Sequence, residues 1–141
     1  MLVDMDVSLA VIADAANVTR DGKLNILGVF NTIYSSAFPT VHSQMQLIVR
    51  FLASPAERGT QHKTAIKLLD MDGSELIGLA GTVAVPQRSG IEEIGVYSII
   101  DLRNVAFARA GDYSFRILID DNEKATVPLK LVLRGQPELP S

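Results

Sequence analysis

Apolar residues recur at every second position through most of this chain, and that period belongs to half-buried β-strands. Val7, Leu9, Val11 and Ala13 share one side of the first run, against Asp6, Ser8, Ala10, Ile12 and Asp14. Met45, Leu47, Val49 and Phe51 alternate with Gln46, Ile48, Arg50 and Leu52. Thr64, Ile66 and Leu68 face inward with Lys63 and Lys67 outward, and Glu75 to Val85 returns as a hairpin partner. Tyr113, Phe115, Ile117 and Ile119 alternate with Asp112, Ser114, Arg116 and Leu118, and Ala125, Val127, Leu129, Leu131 and Leu133 carry the return. Turn formers separate the runs: Asp21-Gly22, the stretch Asp70 to Ser74, and Asp120-Asp121-Asn122.

Some segments read less simply. Lys23 to Ser35 is apolar on both faces, which predicts one strand that is central or covered on both sides. Gly78 and Gly81 predict a bulge or a close backbone approach in the strand that carries them. Residues 91–105 fit a helical face through Ile91, Ile94 and Ser98, and a strand through Val96, Ser98, Ile100 and Leu102; β-branched content favours the strand. Pro128 has no N–H to donate, so the last strand is expected to be an edge there.

Seven to eight strands at near-regular spacing predict an all-β, two-sheet antiparallel sandwich, with immunoglobulin-like topology favoured over a small barrel. The favouring feature is Gly111-Asp112-Tyr113-Ser114-Phe115, which resembles the tyrosine corner of immunoglobulin-like domains, although Arg109 stands where an acid is usual. The 141 residues suit one domain, placed at 1–134, followed by a proline-bearing tail at 135–141.

Composition narrows the function. Net charge is −3 and the cations are scattered singly, so no basic stripe exists to neutralise nucleic-acid phosphates. No basic amphipathic helix and no apolar run of ~20 residues points to a membrane. The chain has no cysteine, which excludes disulfides and thiolate zinc sites. Met1 to Asp6 carries acids where a signal peptide needs positive charge, so the expected compartment is the cytoplasm.

Candidate chemistry is sparse. Asp70-x-Asp72-Gly73-x-Glu75 resembles the start of a calcium loop, but the twelfth position is Gly81 rather than a bidentate Glu. Gly73 is better explained as a positive-φ hairpin residue. Asp120 and Asp121, with Glu123, form a second acidic turn, which could join Asp70 and Asp72 around a cation only if the two turns meet. His42, placed in a loop, and His62, at the start of a strand, are available bases, yet no nucleophile is marked beside either. They are read as surface or capping histidines. Asp14 and Asn17 bracket a turn and are read as backbone caps before ligand groups. No catalytic residue, metal site or cofactor is expected.

Two segments resemble a family of uncharacterised bacterial proteins known only as a domain of unknown function. The first is Ala13-Asp14-Ala15-Ala16-Asn17-Val18-Thr19 followed by Asp21 to Phe30; the second is Phe107 to Phe115 with Val127-Pro128-Leu129. The family usually has an aromatic where Ala15 stands and a proline where Ala110 stands. The resemblance implies a compact β-domain and brings no catalytic residues.

One feature points to function. Ile12, Leu27, Val29, Ile33, Ile48, Leu52, Leu118 and Val132 lie opposite the expected core, more apolar surface than a two-sheet sandwich requires. The leading expectation is a non-enzymatic interaction or scaffold domain, self-associating or docking a protein through a face that includes Leu27, Val29, Ile33 and Ile48. A small-ligand or ion-binding module using the acidic turns is the alternative, and an enzyme using His42 or His62 is a third.

Overall fold

The computed structural model describes residues 5–87, 90 and 92–135. Nine strands are found among them: β1 (Asp6–Val18), β2 (Leu24–Phe30), β3 (Thr32–Ser35), β4 (Thr40–Ala53), β5 (Gln61–Leu69), β6 (Glu75–Ala84), β7 (Ile94–Phe107), β8 (Gly111–Ile119) and β9 (Asn122–Leu133). They form a sandwich of two sheets, one ordered β2-β1-β4-β7 and the other β3-β9-β8-β5-β6. Pairing is antiparallel except between β3 and β9, which run parallel. The ambiguous stretch is strand β7 from Ile94, while Ile91 and the tail at 136–141 lie outside the described residues.

The count exceeds the expected seven to eight because the apolar run from Lys23 to Ser35 is not one strand. β2 ends at Phe30, and after Asn31 the chain enters the opposite sheet as β3. This crossing exchanges the faces. Leu27 and Val29 point to solvent on an edge strand, 71% and 60% exposed, so β2 is neither central nor covered. Ile33 points inward beside Leu131 and is buried, and Tyr34 takes the outward position.

A second exchange occurs in β1, whose pairing with β4 shifts register between Val7 and Leu9. A bulge of one residue moves every later side chain to the other face. Val7 therefore packs on the core, and beyond the bulge Ala10 and Ile12 do so instead of Leu9 and Val11. Ile12 is buried for this reason.

Ile48 does lie on the outer face of its sheet, yet it is fully buried. Val11 and Ile99 flank it on the neighbouring strands, and Gln46 and Arg50 precede and follow it on the same face. The Arg50 guanidinium folds back over Gly95 and donates to the Ser8 hydroxyl at 2.9 Å. Ile33 and Ile48 are thus removed from the expected contact face; Leu52, Leu118 and Val132 are half-buried.

The core between the sheets is built on Phe51, Phe107 and Phe115 with Met45, Leu47, Leu68, Ile117, Leu129 and Leu131. Each large side chain so buried contributes roughly 1.5–3 kcal/mol of transfer free energy. Gly78 and Gly81 mark no bulge: the register shift in the β5–β6 hairpin falls at Leu68/Leu69. Pro128 pairs with Ser114 on β8, and β3 joins the other side of β9 only from Lys130 onward. The strand is an edge at the proline and paired beyond it.

The corner before β8 forms as the sequence predicts. Gly111 takes φ +147°, the Tyr113 hydroxyl donates to the Arg109 carbonyl at 2.7 Å, and the Tyr113 ring meets Phe107 edge-on at 5.0 Å. Replacing Tyr113 with Phe keeps the ring contact and strips the Arg109 carbonyl of its partner. The expected cost is about 1 kcal/mol, read as a lower midpoint in urea unfolding with an unchanged slope.

Candidate functional site

The two acidic turns sit at opposite ends of the same sheet. Asp70 follows the last residue of β5, whereas Asp120 lies beside its first residues, through the bond from the Asp120 N–H to the Lys63 carbonyl. The extended strand from Lys63 to Asp70 holds them roughly 23 Å apart. The turns therefore do not meet, and each carboxylate has structural work. Asp70 Oδ1 accepts the backbone N–H of Asp72 and of Ser74, both at 2.9 Å. Asp72 pairs with Arg109, which holds that guanidinium above its ordinary pKa. Asp120 and Asp121 take φ of +51° and +69°, as a tight two-residue hairpin between twisted strands requires. Asp121 accepts from Lys63 Nζ at 2.9 Å and raises the lysine's pKa. Among the described residues no group of three acids or histidines converges as metal ligands would.

His62 is not a surface histidine. Its side chain is 14% exposed, with Nδ1 2.7 Å from Asp120 Oδ2 and Nε2 3.2 Å from Glu57 Oε2. Nε2 also lies 3.0 Å from the Thr60 hydroxyl, whose own proton goes to the Glu57 carbonyl. Both ring nitrogens are thus engaged by neighbouring oxygens, Asp120 on one side and Glu57 with Thr60 on the other. Glu57 is positioned by a 3₁₀ turn, Pro55–Glu57, where it accepts from the Ser54 N–H at 3.2 Å. The Ser54-Pro55-Ala56-Glu57 spacing is a capping box, the one sequence signal that could have placed Glu57.

The bond from His62 holds the Asp120 carboxyl below its ordinary pKa of 3.8. A carboxylate depressed by folding adds stability above its ordinary value and loses it as pH falls through the lower folded value. Asp120→Asn should therefore flatten the fall in thermal stability below about pH 4. Differential scanning calorimetry from neutral to acid checks it. An acid limb identical to that of the parent would show that Asp120 is not linked to folding.

A different place carries the features the acidic turns lack. β1 pairs with β4 only as far as Ala13; beyond it β1 continues with β2 alone, and β4 before Gln46 runs beside β7 alone. Gln46 spans the resulting split by accepting the Ala16 N–H at 2.7 Å. A shallow groove of about 430 Å³ opens beside this split, bordered by Asp14 and Gly28 at one end and by Phe30, Tyr34 and His42 at the other. Gly28 has φ +71°, and a Cβ there would collide with Asp14 Oδ2, so only glycine lets that carboxylate lie on the backbone. His42, on β4 rather than in a loop, packs against Phe30 at 5.8 Å, and its Nε2 is buried without a hydrogen-bond partner. Arg134 lies over the Tyr34 ring at 4.3 Å. Leu27 and Val29 continue the rim on the outer face of β2. Asp14 faces this groove and does not cap the turn, whereas Asn17 bonds Asn25 across the hairpin at 3.0 Å.

The model of a family of unknown function, DUF6941, matches residues 8–132. No curated protein matches the chain. Among solved structures, Pseudomonas fluorescens alkylpurine DNA glycosylase AlkC bound to DNA containing an abasic site analog aligns with 94% of this chain and 31% of its own, at 9% identity and a TM-score of 0.45. A beta-glucuronidase from glycoside hydrolase family 2 aligns with 68% of this chain and 11% of its own, at 13% identity and a TM-score of 0.33. The chain thus spans less than a third of either protein.

Proposed function

We propose that this chain, which belongs to the DUF6941 family of unknown function, is a non-enzymatic protein-interaction domain that docks another protein through β2. The observation that carries the reading is the pair Leu27 and Val29, 71% and 60% exposed on an edge strand. Small residues pave the adjoining strand, with Ala15 opposite Leu27 and Ala13 opposite Val29, so the two side chains stand above a flat floor. Tyr34 and Val41, 53% and 59% exposed, add apolar surface on the strands that follow. The absence of cysteine agrees with a cytoplasmic setting. No helix among the described residues is long and apolar enough to cross a membrane.

The same reading takes the topology as immunoglobulin-like. It is supported by the split of consecutive strands between the two sheets, by the parallel β3–β9 edge pair and by the Tyr113 corner. Such sandwiches serve as rigid carriers of surfaces, and both ring nitrogens of His62 are already engaged by Asp120, Glu57 and Thr60.

Affinity capture from the native cell with Leu27→Lys and Val29→Lys beside the parent tests the proposal. Both positions are exposed, so melting temperatures should stay within about 1 °C of the parent, the small effect usual for surface changes. A defined partner should be lost at least ~10-fold, the loss expected when a charge enters an apolar contact. Partner recovery unchanged in both variants contradicts it.

The buried, unpartnered Nε2 of His42 favours a second reading, a small-ligand module using the groove beside Asp14. A thermal-shift screen of small amines and hydroxylated compounds supports it if a stabilising compound loses its effect in His42→Phe. No stabilisation by any compound removes it.

A further inference from the structure

The sandwich has a side where its two sheets do not close, away from β2. There β6 ends one sheet and β7 the other. An edge strand exposes a row of unpaired N–H and C=O groups that pairs readily with another strand unless charge, shortness or a bend prevents it. Three of the four edges carry such a device. β3 has only four residues. β2 is broken by Gly28 at positive φ. β7 carries Asp101 and Arg103 in a 2.6 Å ion pair and bends at Asn104, φ +53°.

β6 is neither short nor broken by a positive φ, and its one irregularity is the extra residue Leu76 near its start, opposite Leu68 and Leu69. From Leu76 to Ala84 it holds no charged residue over nine positions. Its outer face presents Gly78, Ala80, Thr82 and Ala84, all small and exposed. Its inner face is incompletely covered. Leu79 faces the core beside Ile66 yet is 40% exposed, because Ser98 and Ile100 of β7 stand off across a cavity of about 150 Å³. An unpaired ladder calls for an extended strand, and a half-covered Leu79 calls for an apolar cover brought by that strand.

We propose that β6 is a dimer interface, pairing antiparallel with β6 of a second copy so that the sheets of two protomers become one. Antiparallel pairing of a strand with its own copy is self-complementary about a twofold axis. An axis at Ala80 sets Leu79 of one copy opposite Gly81 of the other on the core side, large against small, and closes both cavities. The uncharged run keeps like charges from facing each other across the axis, the arrangement that would oppose self-pairing at β7. This surface is separate from the β2 face proposed above, so a dimer would present that face twice.

Sedimentation velocity across a wide concentration range tests it on the full chain. One strand edge and a small cavity form a minor interface, so the expected dimer is weak, with a midpoint on the order of 10 µM. Ala80→Lys places two ammonium groups face to face at the axis and should raise the midpoint at least ~10-fold. Thr82→Lys is the second variant should the first lower the melting temperature of the dilute protein. Leu27→Lys should leave the dimer intact. A parent monomeric at every concentration overturns the proposal, as does a dimer indifferent to both β6 variants or one broken by Leu27→Lys.

Discussion

Asn31 sets the constraint on which most of this structure depends. The apolar run on either side of it has to serve two sheets, and the chain crosses between them within that one residue. Crossing there lets Ile33 enter the core beside Leu131 and leaves Leu27 and Val29 on an open edge. The same step puts Phe30 and Tyr34 at one end of a groove that Asp14 and Gly28 close at the other. A strand that ran straight through would bury or expose this whole set differently.

Single-residue changes of direction are what the sequence hides. Alternation located strands at β1, β4, β5, β8 and β9, because each keeps its period long enough to be counted. It assigned Ile12 to the wrong side, since a bulge between Val7 and Leu9 reverses the count without changing any residue's polarity. The crossing at Asn31 reverses Ile33 in the same way. Ile48 lies on the outer face, as alternation along β4 predicts, and is nevertheless buried. Val11 and Ile99 flank it from strands far away in sequence, and a pattern read along one strand cannot contain them. The Tyr113 corner was legible because all its parts are within a few residues.

The candidate sites divide the same way. Asp70 and Gly73 act within their own turn, as turn chemistry predicts. His62 could not be read, because Asp120 is 58 positions away and only the β5–β8 register brings them together. The His42 groove was equally hidden: Asp14, Gly28 and His42 sit on three strands and meet only where β1 parts from β4. The apolar excess seen in the sequence is real at Leu27 and Val29, is absorbed by the core at Ile12 and Ile33, and is buried on the outer face at Ile48.

The chain's lack of cysteine allows a direct measurement of the crossing. Single-cysteine variants at Leu27, Val29, Ile33 and Tyr34 can be labelled with a maleimide under native conditions, with no background thiol. Exchange of faces at Asn31 predicts fast labelling at 27, 29 and 34 and strong protection at 33. One uninterrupted strand would make 27, 29 and 33 react alike and set 34 apart from them. That result would contradict the fold described here and the surface derived from it.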